Sequence, residues 1–269
     1  MTTPSDALPA IVFENIRIGF DEGDVLRGVG FQVARNATAV LLGETGSGKT
    51  LLLKIAAGLI RPDAGRVIVL GRDLGTMSER ELLGFRREVG FVFQEGALFD
   101  SMTVEENVAF RLHEERVDEE EVTRRVREAL AFVEMGDAIA KLPSELSGGM
   151  RRRVAIARAL VSRPPIVLYD SPTAGLDPVT SQRIITLILR LRDLQGVTAL
   201  LATHRLQDAF ALANFRFDPP TGKVLPAANG ASAAAATNFL VLRDGGIYFQ
   251  GDQNQIRNSP DPYLGRFLE

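Results

Sequence analysis

The chain has 269 residues, 45% of them hydrophobic and 24% charged, with a mean hydropathy of +0.05, which suits one large or two small globular domains and excludes disordered and fibrous classes. A net charge of −3 argues against a general nucleic-acid binder, the absence of cysteine removes disulfides and thiolate metal sites, and two histidines leave little room for a His-built metal centre. Apolar runs stop at five residues, and Met1 to Ala10 lack the basic start and apolar stretch of a signal peptide, so the expectation is a cytosolic chain that does not itself span a membrane.

In chain order, strands are predicted at residues 11–18, 29–33 and 38–42, the last nearly all apolar, as a strand buried on both faces should be. A glycine-rich turn over 43–50 leads into a helix over 51–60. A strand over 66–70 follows, then a short helix that Ser78 and Glu81 would open with a capping box, then a strand over 89–93. From Thr103 to about Val161 the pattern becomes helical, with almost no strand signal. Thr103 and Glu106 form a second capping box. Val122, Val126, Leu130 and Val133 recur at helical spacing behind a charged run, Asp118 to Glu128, that reads as a solvated face. Residues 101–161 are therefore expected as a helical subdomain inserted in an α/β core made of 1–100 and 162–251, the whole forming a single domain.

The α/β pattern resumes with a strand over 166–170, a helix that starts at Asp177 (N-cap) and Pro178 and runs to about Leu194, and a strand over 197–202. Asp244-Gly245-Gly246, between strands over 239–242 and 247–250, signals a hairpin. Residues 218–237, with Pro219-Pro220, Asn229-Gly230 and an alanine-rich run, read as a flexible loop insertion, an alanine-rich helix being the alternative. Residues 252–269 read as a C-terminal tail.

Gly43-Glu44-Thr45-Gly46-Ser47-Gly48-Lys49-Thr50 fits the phosphate-loop (Walker A) pattern at every fixed position. Glycines let backbone N–H groups turn inward and approach phosphates, and the following helix aims its positive end at the same charge. Lys49 can reach the β- and γ-phosphates, and the Thr50 hydroxyl can ligate magnesium. A glycine-rich turn that binds nothing is the bland alternative; the buried strand before the motif and the helix after it weigh against that. Ile166-Val167-Leu168-Tyr169-Asp170 is an apolar strand ending in a carboxylate, which a phosphate-loop protein places beside magnesium, although alone it would only mark a strand end.

Leu146-Ser147-Gly148-Gly149-Met150 and the stretch to Leu160 resemble the signature motif of the ATP-binding subunits of ABC (ATP-binding cassette) transporters, and the resemblance covers about residues 11–251. It implies the ABC ATPase fold: a phosphate-loop α/β core, an antiparallel β subdomain and an inserted helical subdomain. It implies ATP and Mg2+ as cofactors. Ser147 is a good N-cap, and Gly148 and Gly149 expose a helix N-terminus to an anion; the resemblance implies that this end caps the γ-phosphate of a second copy, so that two chains sandwich two ATP molecules head to tail. By position, Gln94 looks like the residue that touches magnesium and water and senses the membrane partner. Ala174-Gly175-Leu176-Asp177 looks like the loop that crosses the dimer interface. His204 resembles the switch histidine at the γ-phosphate, and Phe20 the aromatic that stacks on adenine, with a core aromatic as the alternative. Arg151, Arg152 and Arg153 point in different directions at helical spacing, against a nucleic-acid patch.

One residue departs from the family pattern. Where the family has a glutamate that polarises the attacking water, this chain has Ser171, and a hydroxyl is no base near neutral pH. A positioned general base contributes about 10²–10⁴-fold, so intact ATP binding and dimerisation with slow hydrolysis are expected.

The run from Gln94 through Ala97-Leu98-Phe99 to Thr103, and the ending Asp261-Pro262-Tyr263-Leu264-Gly265-Arg266-Phe267, are similar to the Mla/Mce-type ATPases that drive phospholipid traffic. That resemblance implies a permease docking near residues 94–103, where Ala97, Leu98 and Phe99 could equally be core, a possible lipid-binding subunit, and a peripheral place on the cytoplasmic face of the inner membrane. An importer ATPase for a small polar solute, a degenerate ATP-binding switch subunit, and a soluble protein acting on ribosomes or DNA are the alternatives. The last usually carries two cassettes or a long coiled-coil insert, which this chain lacks.

Overall fold

The computed structural model describes residues 8–21, 23–227 and 237–268. Its first sheet is antiparallel, in the order β2-β1-β4-β5, from β1 (Ile11–Phe20), β2 (Gly23–Val33), β4 (Ala64–Val69) and β5 (Arg72–Asp73). The second has six strands in the order β12-β11-β3-β8-β7-β6. Here β3 (Thr38–Leu42), β6 (Val89–Val92), β7 (Ile166–Asp170), β8 (Thr198–Ala202) and β11 (Thr237–Arg243) run parallel, and β12 (Gly246–Gly251) closes the edge as an antiparallel hairpin partner. Every residue of β3, β7 and β8 is buried, which explains their nearly unbroken apolar sequences.

Helix α1 (Lys49–Ala56) is shorter than the 51–60 expectation at its far end and longer at its near end. Gly58, at φ +64°, ends it: its N–H reaches Ile55 O at 2.9 Å and that of Leu59 reaches Lys54 O at 2.9 Å, a Schellman closure. Both predicted capping boxes form, Ser78 opening α2 (Glu79–Phe85) and Thr103 opening α3 (Val104–Glu114). The helical stretch continues with α4 (Glu119–Phe132) and α5 (Gly148–Leu160). Val122, Val126, Leu130 and Val133 are buried in the core shared with the six-stranded sheet, while Glu121 pairs with Arg124 and Arg125 on the outer face. Asp177 caps α6 (Pro178–Gln195) through the amide of Thr180 at 3.0 Å, and α7 (Leu206–Asn214) follows β8.

The loop expected over 218–237 is corrected in its first half. There β9 (Phe215–Asp218) and β10 (Lys223–Pro226) form an antiparallel hairpin. Its anchor is on α6: the Phe217 amide donates to Asp193 Oδ2 at 2.6 Å, Arg192 Nη2 donates to Phe215 O at 2.9 Å, and the Arg190 guanidinium lies 5.7 Å from the Phe217 ring. Tertiary partners thus override a turn-rich composition. The alanine-rich run lies outside the described residues. The tail expected over 252–269 carries α8 (Gln253–Arg257) and α9 (Pro262–Leu268), pinned to the core by Ile256 and Leu264. Among the described residues no helix is long and apolar enough to cross a membrane.

Candidate functional site

Four candidate segments leave the carboxyl ends of four adjacent parallel strands: the 43–50 loop after β3, His204 after β8, Asp170 and Ser171 at the end of β7, and Gln94 after β6. This is where open α/β sheets bind ligands. The ladder extends past the strand ends and fixes their heights, with the Ser171 amide donating to Ala202 O at 2.9 Å and that of Thr203 to Leu41 O at 3.0 Å.

The loop itself needs glycine where its backbone turns. Gly43 has φ +150°, and a Cβ there would sit 2.7 Å from Leu242 O. Gly48, at φ +96° and N-cap of α1, would meet Leu26 at 2.6 Å. Lys49 curls under the loop, its Nζ donating to Gly43 O at 2.8 Å, Glu44 O at 2.7 Å and Ser47 Oγ at 3.3 Å. Burial pushes its ammonium below the ordinary lysine value, while Asp170 and Glu44 pull it back. Thr50 Oγ1 donates to Asp170 Oδ1 at 3.1 Å, and Ser171 Oγ to the same oxygen at 3.4 Å. A hydroxyl, a carboxylate and a nearby carboxamide are hard oxygen donors, the set a magnesium ion takes beside phosphate oxygens. No cluster of three or more His, Asp or Glu suited to a metal occurs among the described residues.

Thr45, Gly46, Lys49, Thr50, Gln94, Ser171 and His204 line one open cavity of about 440 Å³. A neighbouring cavity of about 850 Å³ is lined by Glu44, Thr45, Gly46 and Ser47 together with Arg243, Asp244 and Tyr263. Phe20 stands on the wall of both and is 59% exposed, so it is not a core aromatic. Ser171 is buried with φ +45°, a backbone state that costs a non-glycine residue about 1–3 kcal/mol.

The remaining candidates lie elsewhere. Ser147, Gly148, Gly149 and Asp177 line neither cavity. Ser147 caps α5 through the amide of Met150 at 3.3 Å, and a Cβ on Gly149 would meet Thr180 Cγ2 at 2.4 Å. Asp177 is an exposed N-cap, its carboxyl held below the usual range by Thr180. The three arginines of α5 diverge: Arg151 donates to Leu146 O, Arg152 to Phe93 O and Ala174 O, and Arg153 to Val133 O and Glu134 O.

Two residues of the cavity wall were not anticipated. Arg243 lies 4.2 Å from the Tyr263 ring and 5.0 Å from that of Tyr248, whose hydroxyl donates to Asp261 Oδ2 at 2.6 Å. This stacking brings Tyr263 of α9 to the wall of the cavity that the phosphate loop also lines; no local pattern signals it.

The ABC transporter family pattern matches residues 26–174. The chain is 35% identical over 261 residues to protein TRIGALACTOSYLDIACYLGLYCEROL 3, chloroplastic, of Arabidopsis thaliana, covering 92% of this chain and 70% of that one. It is 38% identical to the sulfate/thiosulfate import ATP-binding protein CysA of Thermosynechococcus vestitus, over 76% of this chain and 59% of that protein. It is 37% identical to the methionine import ATP-binding protein MetN of Rhizobium meliloti, over 77% and 60%. It thus spans less than two thirds of those two relatives. Among solved structures it resembles the dimeric bacterial ABC transporter cassette MJ0796 with TM-score 0.75 at 28% identity, covering 90% of this chain and 98% of that one; another structure of that cassette holds ADP and Pi. The chain belongs to the ABC transporter family and carries that family's ATPase domain.

Proposed function

We propose that this chain binds ATP with Mg2+ and powers a transporter of phospholipids or related hydrophobic molecules by ATP-driven, head-to-tail dimerisation coupled to a membrane permease. The observation that carries ATP binding is the meeting of Lys49, Thr50, Asp170, Gln94 and His204 at the carboxyl ends of adjacent parallel strands. In this reading the phosphate loop holds the β- and γ-phosphates, Phe20 stacks on adenine, and Asp170, Thr50 and Gln94 hold the ion, whose charge would offset that of the phosphates. His204 meets the terminal phosphate. Ser147, Gly148, Gly149 and Asp177, which line neither cavity of their own chain, serve a second copy. The chain acts as one ATPase domain, with 101–161 as its helical lobe.

The substrate class is supported by the Mla/Mce-like segments after Gln94 and at the C-terminus, and by a plant relative that bears a galactolipid's name. A sulfate or methionine importer is the second reading, favoured by the other relatives. The permease contact falls beside Gln94, where Phe91, Phe93, Phe99, Phe110 and Leu59 line an open apolar groove of about 340 Å³. That groove would take an apolar coupling helix and place the chain at the cytoplasmic face of the membrane.

Ser171 leaves the attacking water without a carboxylate base, so turnover is slow. The test compares ATPase rates of this chain and Ser171→Glu. The glutamate raises turnover by about 10²–10⁴-fold; equal, fast rates in both would overturn the reading.

A further inference from the structure

Asp208 is a carboxylate only 4% exposed, and none of the nucleotide chemistry above uses it. It lies in the first turn of α7. From the loop after β7, the fully buried Thr173 hydroxyl donates to its Oδ2. From the segment after β8, Arg205 Nε approaches to 3.8 Å, and Thr203 and His204 also act on it. The Arg205 amide donates to Thr203 Oγ1 at 3.0 Å. Its Nη1 donates to Thr173 O at 3.3 Å and to Ser181 Oγ, on α6, at 2.8 Å. These groups close on one another across three elements and seal the carboxylate from solvent.

A buried ionised group is costly unless paired, and a well-packed apolar replacement is often no less stable. Scaffold stability is therefore a weak reason for this carboxylate. Its partners point to another. Thr173 sits between Ser171 and Asp177, and its carbonyl also accepts the Leu176 amide at 3.2 Å, so fixing Thr173 fixes the loop that ends in the α6 cap. Ala174 O in the same loop accepts Arg152 Nη2 of the signature helix at 3.3 Å. On the other side, Thr203 and Arg205, which both act on Asp208, bracket His204 in sequence.

We propose that Asp208 is a positioning residue that ties the His204 segment to the 173–177 loop, so that the terminal phosphate met by His204 and the second copy met by Asp177 act on one rigid unit. This rests on the head-to-tail reading above. The unit reports nucleotide state to the interface: with a terminal phosphate present, His204 holds the bracket and the bracket holds the loop in its docking position.

The test uses the full chain, with ATP and ADP affinities measured by calorimetry in the presence of Mg2+ and dimerisation followed by analytical ultracentrifugation. Asp208→Ala and Thr173→Val keep ADP affinity within about twofold, because the phosphate loop is untouched, but lose about tenfold in ATP-over-ADP preference and in ATP-driven dimerisation. His204→Ala shows the same pattern, and Thr173→Ser, which restores the hydroxyl, recovers it. Variants that keep both the preference and the dimer would overturn the proposal, as would a loss of ADP affinity in step with a lowered Tm, which marks a structural role alone. An unchanged chain that prefers ATP but stays monomeric overturns the head-to-tail reading, and the bracket is then judged on the affinity ratio. An unchanged chain with no preference for ATP overturns both.

Discussion

The phosphate-loop end and the signature end of this protein both present a helix N-terminus, and they are finished to different degrees. At α1 the helix itself carries the cation Lys49, and other elements of the same chain supply the carboxylate Asp170, the aromatic Phe20 and the walls of two cavities. At α5 the helix is capped by its own Ser147, and what stands nearest Gly148 and Gly149 is Leu176 and Thr180, not a cavity wall. A helix N-terminus offers a weak, generic attraction for an anion. What turns one into a site is the chemistry set opposite it, and in the head-to-tail reading proposed above that chemistry comes to α5 from a second copy.

The widest separation between the two ends comes from charge. Lys49→Ala lowers ATP affinity of the monomer by about a hundredfold, since it removes the cation that curls under the loop. Gly148→Asp leaves that affinity within about twofold while abolishing ATP-driven dimerisation, because a carboxylate then meets the partner's phosphates. Calorimetry with sedimentation on both variants decides it: weakened ATP binding by the Gly148→Asp monomer breaks the contrast. Next in size, Phe20→Ala costs about tenfold in ATP affinity and Phe20→Tyr almost nothing, as base stacking on an aromatic wall requires.

Smaller effects belong to the fold beneath each end. Gly149→Ala destabilises the chain by about 1 kcal/mol in chemical denaturation, because its Cβ meets Thr180 at 2.4 Å. Gly148→Ala, with nothing nearer than 3.5 Å, is neutral or slightly stabilising through helix propensity. The smallest is a pH effect. Burial raises the Asp208 carboxyl above its ordinary value against the pull of Thr173, Arg205, His204 and Thr203. The native state therefore holds this proton to higher pH than the unfolded chain does. The stabilisation is complete below the ordinary carboxylate value and is lost as pH rises through the raised one. Relative to Asp208→Asn, the unchanged chain becomes less stable over that window; a flat difference in Tm from pH 4 to 7 contradicts it.

Most of the phosphate-loop end was legible in the sequence because its signals are local. The nearly all-apolar β3 and the Walker A run each declare themselves within a few residues. Ser147 was legible for the same reason. The β9–β10 hairpin was not, because its anchors, Asp193, Arg192 and Arg190, lie on α6. The Thr173–Asp208 bond joins side chains 35 residues apart, and the Arg243 stack between Tyr248 and Tyr263 depends on where the last helix lands. Contacts made by folding, between residues of ordinary type, leave no pattern to read.

The strand order has a consequence for how the protein is made. β3, which feeds the phosphate loop, lies between β8 and β11, so the neighbours of an early strand are synthesised late. A ribosome that has finished β3, α1 and the whole helical stretch has still not made either strand that holds the loop at its working height. Full nucleotide affinity of the nascent chain should therefore come only after Arg243 clears the exit tunnel, and until β8 emerges β3 is an unpaired apolar strand in need of protection.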